Sequence, residues 1–205
     1  VPSSKRKGAN LVLSSAKRHY MPAVLEMGAM LSSGNKGFAK DETLAAQWYK
    51  QAAEAGSGLG MFKTAKHLGT TRNGYGLGDE GHEWMRKAAE AGYPAGMYAW
   101  AQLLEDEGKR YYTSHADDMR TLTWYCKAAT AGHIAAAVQA GDAYRTGKYA
   151  DKDARQAAVF YSMAAAKGNV AACTALGDLL LASAADVCPE AQEVARAGLQ
   201  AAGLG

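Results

Sequence analysis

Apolar and polar positions along the chain repeat as a unit. Four segments align without gaps, each running from an aromatic through paired alanines: Trp48-Tyr49-Lys50-Gln51-Ala52-Ala53-Glu54-Ala55-Gly56, Trp84 to Gly92, Trp124 to Gly132, and Phe160 to Gly168. Their first residues stand 36, 40 and 36 positions apart, the period of a helical repeat array. A fainter copy lies upstream, with His19 standing where the glycine would be. Counting from that reference residue, the fourth position reads Ala23, Gly60, Gly96, Ala136 and Ala172, and the ninth Gly28, Ala65, Ala101, Gly141 and Gly177; every one is small. The twelfth reads Leu31, Leu68, Leu104, Tyr144 and Leu180, all large. Small residues let helix backbones approach closely while large ones fill the layer between them. The columns therefore predict a helix before each glycine, called B, and a helix after it, called A, with the glycine as a left-handed C-cap.

On this pattern the A helices cover about 20–33, 58–69, 94–107, 134–146 and 170–183, and the B helices about 8–18, 42–55, 80–91, 117–131, 153–167 and 189–202. No strand is required. Leucine at Gly141 or Gly177 is expected to force neighbouring helices apart. The Trp48, Trp84, Trp124 and Phe160 column reads as a repeated core contact rather than a stacking platform for bases or sugars. The last unit is degenerate, with Val194 in the aromatic position, and reads as a cap.

Composition agrees with close-packed helices: of 205 residues 48% are hydrophobic, with 23 Gly against 4 Pro. No stretch approaches the roughly 18 apolar residues of a membrane span. The chain starts at Val1 and reads as processed or trimmed, so export to a bacterial envelope is expected if a leader preceded it, and the cytoplasm otherwise. A net charge of +3 is too mild to argue for nucleic acid, although Lys5-Arg6-Lys7 and Lys17-Arg18 are clustered. Cys126, Cys173 and Cys188 match no metal spacing. Cys126 reads as a packed thiol, and all three are expected to be free, since Cys173 and Cys188 fall at the starts of antiparallel helices.

The pattern of Trp-Tyr, Ala-Ala, Gly, a small residue four later and Gly or Ala nine later resembles the Sel-1-like repeat, a relative of the tetratricopeptide repeat, over nearly the whole chain. The resemblance implies an all-α, right-handed α-solenoid of about five stacked helix-turn-helix repeats. Its units would be about 1–19, 20–56, 57–92, 93–132, 133–168 and 169–205, forming a single solenoid over 1–205. It also implies a non-enzymatic scaffold or adaptor that holds a partner protein. An immunity protein for a secreted bacterial toxin is the alternative, and a weak nucleic-acid binder through the basic clusters the second. The disulfide of the family's cysteine-rich branch is absent here, and the enzyme activity claimed for that branch is not carried over.

No catalytic constellation stands against this. Gly76-Leu77-Gly78-Asp79-Glu80-Gly81 has the nucleotide-loop spacing but lies between predicted helices, where the motif needs a βαβ unit. His19, His67, His82, His115 and His133 fall in different units and read as surface or capping residues. His115, Asp117 and Asp118 read as a helix start. Neither cofactor nor metal is expected.

By analogy with tetratricopeptide stacks, positions three, six and ten of the A helices face a concave groove, the last two carrying the candidate contacts. They supply Leu25, Phe62, Tyr98 and Val138, then Lys66, Gln102, Asp142 and Asp178, so the partner would be apolar towards one end and basic towards the other. Leu25 and Phe62 could equally pack against a neighbouring helix. The loop carrying Tyr111 and Tyr112 is the next contact surface in line.

Overall fold

The computed structural model describes residues 3–35, 37–71, 78–111 and 115–185. Among them the chain forms ten α-helices and no strand: α1 Ser3–Lys17, α2 Met21–Ser33, α3 Glu42–Glu54, α4 Gly58–Thr71, α5 Asp79–Glu90, α6 Pro94–Tyr111, α7 His115–Thr130, α8 Ile134–Thr146, α9 Ala154–Ala165 and α10 Val170–Ala185. The even-numbered helices are the A helices and the odd-numbered ones the B helices. The expected final B helix, with Val194, lies outside the described residues, as do most of the glycine-rich 73–78 segment and Cys188.

Contacts divide the chain into two units, Val1–Trp100 and Ala101–Gly205, and α6 contributes to both. In the first unit, extensive packing joins α1 to α2, α2 to α3, α3 to α4 and α4 to α5. In the second it joins α7 to α8, α8 to α9 and α9 to α10. Within each unit these helices thus pack on their chain neighbours, the nearest-neighbour pattern of a repeat array.

One turn, made five times, sets the hairpin. Gly56, Gly92, Gly132 and Gly168 take φ of 89°, 80°, 93° and 81°. The residue after each donates its N–H to the carbonyl five positions back, as from Ser57 to Ala52 at 2.9 Å and from His133 to Ala128 at 2.9 Å, a Schellman closure. His19 makes the same turn at φ 60°, with Tyr20 N–H donating to Ser15 O at 3.2 Å. Histidine is one of the non-glycine residues enriched in that region. The residue after the glycine also opens the next helix. Ser57 Oγ, His133 Nδ1 and Asn169 Oδ1 accept from the N–H groups of Gly60, Ala136 and Ala172 at 3.2, 3.2 and 2.9 Å. Tyr93 has no such acceptor, and there Pro94 occupies the first helical position instead.

The core column is the residue after the tryptophan. Tyr49, Met85, Tyr125 and Tyr161 are all buried, Tyr161 completely. Of the column expected to make the core contact, only Phe160 is buried; Trp48, Trp84 and Trp124 are half-buried. Lys87 and Lys127 lay their ammonium groups over the Trp84 and Trp124 rings at 4.8 and 4.5 Å. An indole is large enough to straddle the interface, whereas the next residue points straight into it. The ninth-position column answers the buried aromatics: a Cβ on Gly28 would lie 2.6 Å from Tyr49 Cε1, and one on Gly141 2.7 Å from Tyr161 Cδ1.

In the second unit Tyr125 Oη donates to Glu105 Oε2 at 2.7 Å, and Lys148 Nζ meets Glu105 Oε1 at 2.7 Å. Burial pushes the neighbouring Tyr149 phenol up to about 12. Burial also raises Tyr49, Tyr144 and Tyr161. A phenol whose folded pKa exceeds its unfolded value contributes stability that is intact below pH 10 and lost as pH rises towards 12. Thermal melts between pH 8 and 12 are expected to hold level to about pH 10 and then fall, and Tyr149→Phe should flatten that fall by about 2 kcal/mol.

Candidate functional site

A cleft of about 180 Å³ opens in the first unit over α3. Its floor is Ala45, Ala46 and Tyr49 of α3, and its walls are Ser32 of α2 with Lys63, Lys66 and His67 of α4. The α4 residues come together because positions 63, 66 and 67 share one helix face. Glu42 lies at the rim, where its hydrogen bond and ion pair with Lys40 at 2.7 Å hold its carboxyl below the usual range. Lys63 and Lys66 are exposed. The cleft is therefore cationic, with a hydroxyl and an imidazole beside it, and suits a carboxylate.

The expected groove residues of this unit do not all behave alike. Lys66 lines the cleft and its Nζ sits 5.7 Å from the centroid of the Phe62 ring. Phe62 is half-buried against Tyr93, ring centroids 5.5 Å apart. Leu25 is half-buried against the α1–α3 core formed around Val24, Met27 and Leu31. Tyr98 is half-buried on α6.

In the second unit, Gln102 and Asp178 are exposed and Val138 is half-buried. Asp142 is held: its Oδ1 accepts from Tyr161 Oη at 2.7 Å and from Arg145 at 3.2 Å, while Arg145 Nε donates to Tyr161 Oη at 2.9 Å. Tyr112 and the side chain of Tyr111 lie outside the described residues. Sequence reasoning passed over Lys63 and His67. Lys63 was detectable as the one lysine in the seventh-position column, Glu26, Lys63, Ala99, Gln139 and Ala175.

Burial pushes the half-buried Cys126 thiol up, against a smaller opposing pull from its hydrogen bond with Tyr144, so it stays protonated near neutrality. Cys126 and Cys173 are free thiols. Among the described residues no group of three His, Cys, Asp or Glu side chains could hold a metal ion, and no helix is long and apolar enough to cross a membrane.

Paired helices, a recurrent left-handed glycine turn and cores closed between chain neighbours define a helical-hairpin repeat protein. The chain matches the Sel1 repeat over residues 22–57, 68–93, 94–133 and 134–169, and it belongs to that family. The family is one of non-catalytic helical repeat scaffolds whose members mediate protein–protein interaction. A Sel1 repeat protein from Oxalobacter formigenes shares the fold at a TM-score of 0.71 and 23% identity, covering 85% of this chain and 69% of that one. An immunity protein from Pseudomonas aeruginosa shares it at a TM-score of 0.52 and 18% identity, covering 82% of this chain and 61% of its own. Both are likenesses of fold. Among curated protein sequences, none matches.

Proposed function

We propose that this protein is a non-enzymatic scaffold that holds a partner protein on the exposed faces of its A helices. The observation that carries the reading is the first unit's cleft, where Lys63, Lys66 and His67 converge and Lys66 also reaches its Nζ to 5.7 Å from the half-buried Phe62 ring. An apolar ring next to the Lys66 ammonium at the edge of a cationic cleft suits a partner segment with an apolar anchor and a neighbouring carboxylate. Tyr98 extends the anchor surface of this unit. On the second unit, Gln102, Val138 and Asp178 offer a face of opposite sign, fitted to basic residues. Asp142 serves this face less, because its carboxylate is already engaged by Tyr161 and Arg145.

The test begins with a partner captured from the native host and a binding isotherm on the purified pair. Phe62→Ala with Tyr98→Ala is expected to weaken binding by about 1–3 kcal/mol in total, with helicity by circular dichroism little changed. Asp178→Lys should mainly slow association and flatten its salt dependence. A partner whose affinity survives all three changes would remove the A-helix faces from consideration. The same measurements separate the other readings. An immunity protein would show one tight cognate toxin that loses activity on binding. A nucleic-acid binder would show affinity for oligonucleotides that collapses with salt and with reversal of the exposed Lys17 and Arg18.

A further inference from the structure

In most repeats the outward face of the B helix is polar near its C-terminal end. Three columns, nine, five and two residues before the glycine, define that face. They read Gln47, Gln51 and Glu54 on α3, then Glu83, Lys87 and Glu90 on α5, then Thr123, Lys127 and Thr130 on α7. On α9 the same columns read Val159, Met163 and Ala166. Val159 is 51% exposed, and it stands one turn from Met163 on the same face.

This change coincides with a cavity. Met163 of α9 and Ala166, the residue that caps it, face Ala129 of α7 and Ile134 and Ala137 of α8 across a cleft of about 390 Å³, with His133, Thr130 and Lys167 at its edge. Ile134 is itself 36% exposed. His133 uses Nδ1 to cap α8, and burial lowers its pKa, so it adds no charge at neutral pH. The charge comes from Lys127, held over the Trp124 ring, and from Lys167, whose Nζ donates to Gly132 O at 3.2 Å. No aspartate or glutamate occurs in residues 119–141 or 154–177, which supply every wall of the cleft.

We propose that this end of the second unit, where α7 and α9 finish and α8 begins, docks an acidic amphipathic segment of a partner protein. A large apolar side chain seats between Ile134 and Met163, and carboxylates flanking it meet Lys127 and Lys167. A walled cleft selects a discrete side chain, and two lysines fall short of the 4–8 clustered basic residues that hold an anionic membrane surface. The surface borrows Ile134 and Ala137 from the start of α8 but none of Phe62, Lys66, Tyr98, Gln102, Val138 or Asp178, so either site can fail without the other.

The experiment pans a displayed library of random 16-residue peptides on the full chain and measures two enriched peptides by fluorescence polarisation. Enrichment of acidic sequences with apolar residues at helical spacing is expected. Met163→Glu, and separately Val159→Asp at an exposed position that leaves folding intact, should each weaken them at least tenfold. Lys127→Glu with Lys167→Glu should do the same, and Phe62→Ala should change affinity less than twofold. The proposal is overturned if the enriched peptides carry no acidic bias, or if they bind Val159→Asp as they bind the parent. It is equally overturned if Lys66→Glu abolishes their binding while Met163→Glu does not, a result that supports the cleft over α3 instead. Concentration-dependent dimerisation abolished by Val159→Asp would give the surface to a second copy of the chain. Binding of phosphatidylserine vesicles, but of no acidic peptide, would give it to lipid.

Discussion

Gly60→Leu is expected to lower the melting temperature by more than about 10 °C, the largest effect of any single small-to-large change in the first unit. A Cβ at Gly60 would lie 2.7 Å from the Ala53 backbone nitrogen and 2.8 Å from Ala52 C, so α4 must move bodily off α3. Overpacking ordinarily costs about 1–3 kcal/mol, and a clash against backbone, which has no rotamer to escape into, belongs at or above the top of that range. Gly141→Leu should follow closely, because the Tyr161 ring it would strike is fully buried and tethered at its hydroxyl. Gly177 carries no comparable expectation from the structure, because the B helix that would face it lies outside the described residues. Melts followed by circular dichroism should therefore place Gly60→Leu and Gly141→Leu well below the parent. Melting temperatures equal to the parent's would mean that the close approach of the A and B helices is not what holds a unit together.

Those two clashes show what the repeat pattern made legible. Gly56, Gly92, Gly132 and Gly168 announced their turns because a left-handed residue is a local requirement, met within five residues of chain. The small ninth-position column was equally visible, yet its cause was not. Its partner is the residue after the tryptophan on the following B helix, Tyr49 against Gly28 and Tyr161 against Gly141, a pairing about 20 residues apart. Column reading registers size and not who stands opposite, and the B helix expected to face Gly177 lies outside the described residues. Trp48 packs against the core as its column predicts, whereas Trp84 and Trp124 are half-buried under lysine ammonium groups, a partner that hydrophobic area alone does not announce.

The binding faces were harder still. Lys66 was found by its position, and Lys63 and His67 share its helix face, but only the packing of α4 over α3 makes that face the wall of a cleft. Asp142 was read as a groove carboxylate from its column alone, when its Oδ1 is the acceptor for Tyr161 Oη at 2.7 Å. Charge on a helix face is legible in a sequence, and whether that charge is already spent on a neighbour is not. The acid-free stretches around Ile134 and Met163 were legible throughout, and only the cavity between them gives their lack of carboxylates a meaning.

Tyr161→Ala is expected to destabilise the second unit by about 3–5 kcal/mol, the range for emptying a large buried aromatic site. The cavity would open between α8 and α9, beside Gly141, whose own lack of a side chain leaves nothing to collapse inward. Tyr161→Phe keeps the ring and removes only the hydroxyl that donates to Asp142 and accepts from Arg145. Hydrogen bonds to charged groups contribute about 1.5–3 kcal/mol, and the low end applies here because Asp142 is half-buried, keeps its Arg145 contact at 3.2 Å and can take up water. A double-mutant cycle of Tyr161→Phe with Asp142→Asn in urea then decides what Asp142 is for. A coupling of at least about 0.5 kcal/mol places its carboxylate in the α8–α9 interface. Additive effects within a few tenths of a kcal/mol would free that carboxylate for a basic partner residue, and Asp142 would join Asp178 on the binding face of the second unit.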